Sequence, residues 1–133
     1  MADFAIALKE RLAGHVPLTN LIGSNRLHWV KVPQGVDLPY VRLQVISDPR
    51  PQHLQGYDSA RVSRVQCDCF STKWGEARAT AGLIVQALAS PTSIGGIFFG
   101  RVTADGPRDL GEDVGDTFIH RASVDLLVEH RTL

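Results

Sequence analysis

Two stretches of the chain alternate apolar and polar side chains with a period of two residues. In PYVRLQVIS, residues 39–47, one face collects Val41, Leu43 and Val45. In ARVSRVQCDCF, residues 60–70, one face collects Val65, Cys67 and Cys69, and the other collects Arg64, Gln66 and Asp68. This period is typical of β-strands that bury one face. The alternation therefore predicts a sheet that is covered on one side.

Two other segments carry apolar residues at helical spacing. Asp3 can cap a first helix that stops at Gly14, and Ser71 or Thr72 can cap a second helix. The apolar faces contain Phe4, Ala5, Leu8 and Leu12 in the first helix, and Trp74, Ala77, Ala81, Ile84 and Leu88 in the second. A short turn of helix within residues 17–26, ended by Gly23, is predicted to precede a brief strand in RLHWVKV.

The remaining segments set the fold class. GGIFFGRVTAD and TFIHRASVDLLVEH read as two more strands, separated by an acidic loop from Asp105 to Asp116. The order helix, three strands, helix, two strands favours an α+β fold with a mostly antiparallel sheet and two main helices packed on one face. At 133 residues, without a linker or repeat, residues 1–133 are expected to form a single domain.

The closely spaced cysteines Cys67 and Cys69 raise the question of a metal site. On a strand their Cα atoms lie roughly 6.6 Å apart with parallel side chains. Two thiolates on one zinc ion lie about 3.8 Å apart, and no second cysteine pair is present to complete a four-cysteine site. We therefore expect both thiols to be small apolar residues of the core.

No other pattern predicts catalysis or a cofactor. The histidines have no metal-binding spacing, and His120, which alternates with apolar neighbours, is expected to be structural. Ser24 does not lie in a nucleophile elbow, and Gly95 and Gly96 are expected to form a turn. The Asp105–Asp116 loop lacks the ligand order of an EF-hand. The prediction is a protein that is not an enzyme and has no catalytic residue, cofactor or metal.

The charge balance of the chain indicates which classes of partner are not favoured. Fourteen basic residues balance fourteen acidic residues, so no net field attracts the chain to nucleic acid or to an anionic membrane. The N-terminal segment lacks the pattern of a signal peptide, and the cysteine usage favours folding in a reducing cytoplasm.

Two long stretches resemble a known family. Leu21–Ser47 contains the element PQG followed by LPYV, and Arg64–Leu88 contains the strand end DCF and the helix start WGEAR. Together with the closing strand FIHRASVDLLVEHR, they resemble the tail completion proteins of long-tailed phages. These are also called tail terminator or head–tail joining proteins, and they have relatives in gene transfer agents. Cys69 and Phe70 stand where relatives often carry Trp, and Ser24 and Asn25 replace a glycine-rich turn.

The resemblance implies a tail-terminator-like α+β subunit that assembles into a ring, typically of six copies. Such a ring terminates the tail tube and joins it to the connector of the head. The implied partners are further copies of the chain, the tail tube protein and a head–tail connector or stopper protein. DNA would pass through without specific binding, and no membrane is involved. The implied location is the tail or neck of a virion that is assembled in the bacterial cytoplasm.

Two charged segments are candidates for the contacts of such a ring, whose head-to-tail interfaces need two different patches on each subunit. The basic patch contains Arg50, Arg61 and Arg64 against the single Asp58, and the acidic patch contains Asp105, Asp109, Glu112, Asp113 and Asp116. The alternative is two solvated loops of unrelated composition.

The polar segment from Asp48 to Ser59, DPRPQHLQGYDS, is too rich in Pro and Gly to be core and is predicted to form a hairpin-like arm. An excursion of this length is not needed for core folding, so we expect it to serve assembly. The candidate arm residues are Pro49, Pro51, His53, Gln55 and Tyr57.

Two other functions remain open from the sequence alone. The first is another neck component, a connector or stopper protein. The second is a small ligand-binding or enzymatic α+β domain, which a deep apolar pocket containing a perturbed histidine or carboxylate would favour.

Overall fold

The structure, a computed structural model, describes residues 3–23, 25–57 and 60–133. Within these ranges the helices are α1 (Phe4–Ala13), α2 (Val16–Ile22) and α3 (Trp74–Ala87). The strands are β1 (Leu27–Trp29), β2 (Tyr40–Ser47), β3 (Gln52–His53), β4 (Gly56–Tyr57), β5 (Arg61–Ser71), β6 (Thr92–Ile94), β7 (Ile97–Val114) and β8 (Thr117–Thr132).

Six of the strands form one sheet in the order β1-β2-β5-β8-β7-β6. β1 runs parallel to β2, and every other neighbouring pair is antiparallel. The two alternating runs of the sequence lie side by side, because Val41 is paired with Cys69 and Leu43 with Cys67. β3 and β4 form a separate two-stranded hairpin within the arm. The predicted α+β fold with a mostly antiparallel sheet is confirmed.

The helix ends follow the sequence signals in part. The Asp3 carboxylate accepts hydrogen bonds from the backbone N–H groups of Ala5 at 2.7 Å and Ile6 at 3.3 Å, and Gly14 is the C-cap. Lys73 is the N-cap residue of α3, where Ser71 or Thr72 was expected. The Ser71 hydroxyl still contributes by accepting a hydrogen bond from the Lys73 N–H at 3.0 Å.

All three helices pack on the same face of the sheet. Their buried residues share one apolar cluster with the inward-facing residues of β2, β5, β7 and β8. Ala77, Ala81, Ile84 and Leu88 of α3 are buried as predicted, but Trp74 is 54% exposed. Trp74 lies in the first turn of α3, where its indole reaches outward to a carboxylate of β7. Its prediction as a core residue was wrong for that reason.

The two cysteines lie at the centre of the core. Cys67 and Cys69 are fully buried free thiols, and Cys67 is paired with Leu43 on one side and Val124 on the other. Burial in these apolar surroundings raises the pKa of both thiols. The expectation that they are small core residues is confirmed.

The largest difference from the sequence prediction concerns the acidic segment Asp105–Asp116. Most of this segment continues β7 and is paired with β8 up to Val114 and Thr117, so the two strands form one long hairpin. Gly106 and Pro107 suggested a loop, but they produce only a shift in register between Asp105 and Arg108. Cross-strand pairing on both sides of this irregularity overrides the local turn signal.

The sheet also has short elements that the sequence did not predict. β6 is paired with the first residues of β7 through a turn at Gly95 and Gly96, which have φ angles of 58° and 81°. These two glycines form a turn, as expected, because positive φ is open to residues without a Cβ atom.

Candidate subunit interface

The arm joins β2 to β5 and carries the β3–β4 hairpin. At its turn, the Leu54 side chain is fully exposed. Pro49, Pro51 and Gln55 are also exposed. For the candidate residues His53 and Tyr57, the structure describes the backbone only. Asp58 and Ser59, which were expected to end the arm, lie outside the described residues, as does Ser24.

Asp48 fixes the base of the arm. Its carboxylate forms an ion pair with Arg61 at 2.7 Å and another with Arg50 at 3.3 Å, and it accepts a hydrogen bond from the Ser63 hydroxyl at 2.7 Å. Partial burial raises the pKa of Asp48. The hydrogen bonds from Arg61 and Ser63 and the positive charges of Arg61 and Arg50 lower this pKa by more than burial raises it. The pKa therefore lies below its ordinary value, and the carboxylate is ionised at neutral pH.

A buried histidine extends this network. His130 is only 4% exposed, its ring is stacked on Phe4 at 4.1 Å, and its Nε2 lies 2.8 Å from the Ser63 hydroxyl. Because that hydroxyl donates its single proton to Asp48, Nε2 must donate to Ser63. Burial, followed by the charge of Arg61, lowers the pKa of His130 to about 4.

This arrangement cannot activate a nucleophile. A general base must accept the proton of the serine hydroxyl, whereas here the His130 Nε2 carries a proton of its own. Ser63 is also completely buried. The Asp48, Ser63 and His130 network is therefore structural.

The predicted basic residues do not form one patch. Arg61 lies on the helix side of the sheet, where its guanidinium is 5.9 Å from the centre of the Phe4 ring. Arg64 lies three residues further along β5 and so points to the open face, the side of the sheet without helices. Arg61 and Arg50 are paired with Asp48 within the same chain. Of the three, Arg64 is the exposed cation without such a pair in the described ranges.

The acidic residues are likewise divided between two faces. Asp105 and Glu112 face the open side of β7, whereas Asp109 and Asp113 face the helix side and Asp116 lies in the hairpin turn.

Asp109 is engaged within its own chain. Its carboxylate accepts hydrogen bonds from the Trp74 indole at 3.2 Å and from Arg78 at 3.0 Å. These contacts tie the hairpin to the start of α3. Asp109 therefore anchors the hairpin within its own chain.

The open face contains a polar network that the sequence analysis did not identify. The Asp68 side chain is fully buried there because Arg42, at 2.9 Å, and Gln66, at 3.1 Å, cover its carboxylate. Burial raises the pKa of Asp68, but hydrogen bonds from Arg42, Gln66 and Ser123 more than offset this effect, and the pKa lies below its ordinary value. The alternation had placed Asp68 opposite the core, which gave no signal that its neighbours would enclose it.

A groove of about 510 Å³ lies between the base of the arm and the ends of β7 and β8. Its apolar wall includes Pro49, Pro51, Val62 and Phe98. His130 lines one side, but its ring nitrogen is engaged with Ser63. The perturbed histidine beside this groove therefore has a structural explanation.

The other candidate positions do not form a metal site or a catalytic site in the described residues. Within residues 3–23, 25–57 and 60–133, no group of three His, Cys, Asp or Glu residues is placed to hold a metal ion. His120 is half-buried, with its ring 4.8 Å from that of Phe118. None of the helices in the described part of the chain is long and apolar enough to span a bilayer.

The molecule thus has the features of a structural subunit: helices on one face of a sheet, an exposed opposite face, an arm and a long charged hairpin. The family model described as "Tail completion protein gp17" matches residues 6–129. The chain therefore belongs to this family of tail proteins. They are structural proteins and not enzymes, which agrees with the prediction that the chain is not an enzyme.

A solved structure shares the fold. A chain in the structure described as "Virion of native gene transfer agent (GTA) particle" superposes with a TM-score of 0.63 at 16% sequence identity. The match covers 96% of this chain and 92% of that chain. No curated protein matches the sequence. The family and the fold together identify a tail structural protein of a phage or gene transfer agent.

Proposed function

We propose that the protein forms a closed ring, of six copies as in the family that it resembles, which terminates the tail tube and joins it to the head connector. The observation that carries this proposal is the family match over residues 6–129. The fold shared with a chain of a gene transfer agent particle supports it. The other proposed partners are the tail tube protein and a connector or stopper protein, and DNA passes without specific contacts.

The charge contact between subunits is proposed to use the open face. Arg64 is exposed there, and Asp105 and Glu112 project from the same face at the other side of the sheet. A head-to-tail ring brings one side of each subunit to the opposite side of the next. Arg50 and Arg61 would support this contact indirectly, because they fix the base of the arm through Asp48.

The arm is proposed to contact a neighbouring molecule during assembly. Leu54, at the turn between β3 and β4, exposes its whole side chain to solvent. Because this leucine packs against nothing in its own domain, another protein can bury its side chain without breaking an existing contact.

The experiment that tests the proposed function is deletion of the gene in the phage or gene transfer agent that encodes it. We expect filled heads and separate tails that do not join, and we expect the intact gene supplied in trans to restore joined particles. Electron microscopy of the lysate distinguishes the outcomes. Normally joined particles in the deletion strain would contradict the proposal, and joined particles that leak DNA would instead indicate a stopper.

A further inference from the structure

One edge of the six-stranded sheet is open at β2. This strand spans Tyr40–Ser47, but β1 is paired only with residues 41–43. The outer edge of residues 44–47 has no strand partner among the described residues. Val45 and Ile46 in this stretch are 37% and 48% exposed. Val45 had been predicted to lie on the buried face, and its position beyond the end of β1 explains its exposure.

The opposite edge is open along β7. β6 is paired only with residues 97–99, whereas β7 continues to Val114. From Gly100 onward, its outer edge likewise faces no strand in the part of the chain that the structure describes. Register shifts between Phe99 and Val102 and between Asp105 and Arg108, together with Pro107, interrupt this edge, so residues 102–105 form the stretch that is available for regular pairing.

Unpaired strand edges present rows of N–H and C=O groups that can pair with another chain. Proteins that avoid such pairing place prolines or charges on these edges. Residues 44–47 of β2 are Gln, Val, Ile and Ser, so this edge carries neither. A register shift between Val45 and Ser47 interrupts its pairing with β5.

We propose that the β2 edge at residues 44–47 pairs with the β7 edge at residues 102–105 of the next copy, so that the sheet continues from subunit to subunit. This inference rests on the proposed ring and names the contact that closes it. Each chain carries both edges, as a head-to-tail ring requires.

The register within the sheet supports this pairing. Gln44 is paired with Gln66, Gln66 with Asp125, and Asp125 with Asp105, so Gln44 and Asp105 lie at the same height on opposite edges. β2 and β7 are antiparallel to each other across the sheet. A rotation about an axis parallel to the strands changes neither the height of a residue nor the direction of a strand. Such a rotation therefore brings β2 of one copy beside β7 of the next in antiparallel orientation.

One pair of charges beside the two edges is complementary, and the exposed Arg101 also adjoins the β7 stretch. Lys31 is exposed just after β1, next to Val30, whose N–H donates to the Leu43 carbonyl at 2.7 Å. Lys31 therefore flanks the outer side of the open β2 stretch, and Arg64 lies one strand inward, where it is paired with Ser47. Edge pairing places the exposed Asp105 of the next copy on the Lys31 side of β2, whereas Arg64 lies on the other side of that strand.

The test uses charge reversal at Lys31, which lies outside the charge contact proposed for the open face. Asp105 belongs to both proposed contacts, so Lys31 is the position that separates them. Sedimentation velocity at about 0.05 M salt, where screening is weak, measures the protein concentration for half-assembly. We expect Lys31→Glu and Asp105→Lys each to raise this concentration about fivefold, as for an exposed ion pair turned repulsive. The double variant should return to within about twofold of the original protein. Lys73→Glu, an equal charge change on the exposed N-cap of α3, should have no effect.

Crosslinking tests the geometry separately. Lys31→Cys chains mixed with Asp105→Cys chains should give disulfide-linked dimers on mild oxidation, whereas Lys73→Cys mixed with Asp105→Cys should not. Cys67 and Cys69 do not interfere, because both are fully buried.

The outcomes separate this inference from the proposed function. Two results would overturn the edge pairing and leave the ring proposal intact. The first is that Lys31→Glu forms rings normally, and the second is that rings form without a crosslink between the two edge positions. A wild-type protein that stays monomeric at every concentration would overturn both.

Discussion

The ionisation of His130 affects stability in mildly acidic solution. The unfolded chain protonates a histidine below about pH 6.5, whereas folded His130 stays neutral until about pH 4. Its contribution to stability is therefore complete above about pH 6.5 and is lost as the pH falls toward 4. Asp48 and Asp68 have lowered pKa values, so their contributions are lost only below the ordinary carboxylate range.

We expect the free energy of unfolding to fall by at most about 3 kcal/mol between about pH 6.5 and pH 4, and His130→Gln to remove most of this slope. Urea unfolding at several pH values measures it. His28→Gln, a substitution of a half-buried histidine beside β2, is the matched control and should keep the slope. An unchanged slope in His130→Gln would show that other groups cause the pH dependence.

The buried thiols give a second prediction at the residue scale. Cys67→Ser and Cys69→Ser should each cost about 1–3 kcal/mol, because each would place a hydroxyl in apolar surroundings. Cys67→Ala and Cys69→Ala keep an apolar side chain and should cost less. Stoichiometric zinc in the purified protein, lost in the serine variants, would contradict the structural role of the cysteines.

Single residues show where sequence reasoning reaches its limit. The alternation of β5 was sufficient to predict that Cys67 and Cys69 are core residues. It could not reveal that Asp48 pairs with Arg50 and Arg61, because that contact forms only when the chain folds back from β2 to β5. Two of the three arginines in the predicted basic patch have a partner within the chain.

Among the elements, the β7–β8 hairpin depends on a close approach at Gly111. A Cβ atom there would lie 2.5 Å from a carbon of the Phe118 ring and 2.9 Å from the Ile119 carbonyl oxygen. The ring could rotate away, but the carbonyl belongs to the paired strand. The end of the hairpin therefore needs glycine at this position.

Gly111→Ala should destabilise the protein by about 1–2 kcal/mol, with faster amide hydrogen exchange at the hairpin end. Gly82→Ala is the matched control: a Cβ atom on this residue of α3 meets nothing within 4 Å. That variant should be more stable by about 0.5–1 kcal/mol, because alanine favours helix. Unchanged exchange at the hairpin in Gly111→Ala would contradict the close approach.

The arm can be tested without disturbing its base. Replacing residues 52–57 with a short glycine and serine linker keeps Asp48, which holds Arg61 and Ser63. We expect a folded, soluble protein with unchanged stability that no longer joins heads to tails. Loss of folding would show that the arm belongs to the core, and normal joining would show that assembly does not need it.

Element prediction succeeded where periodicity was strong and failed where turn residues misled it. Apart from Trp74 in α3 and Val45 in β2, the buried faces of α1, α3, β2 and β5 and the presence of β8 follow from their spacing. The Asp105–Asp116 segment looked like a loop because it contains Gly106, Pro107 and many acids. Its strand structure comes from pairing with β8, a non-local contact that local sequence does not encode.

At the scale of the whole molecule, helices cover one sheet face, and the other face and both edges remain available for contacts. Arg64 lies on the open face one strand from the β2 edge, and Asp105 lies on the same face in β7. If these charges meet between copies, assembly should weaken as salt rises past roughly 0.15 M, where the Debye length is about 8 Å.

Reversing Arg64 to Glu should weaken assembly, and adding Asp105→Arg in the same chain should partly restore it, because every interface pairs one side with the other. Light scattering measures the assembled fraction. Assembly that is independent of salt, or a double variant as defective as the sum of its halves, would show that other contacts hold the ring.

Native mass spectrometry of the purified protein, combined with electron microscopy of the same sample, tests whether this tail structural protein closes into a ring. We expect one dominant oligomer of six chains that appears as a closed ring with a central channel. A protein that remains monomeric at every concentration, or that forms open filaments without a fixed number of subunits, would contradict it.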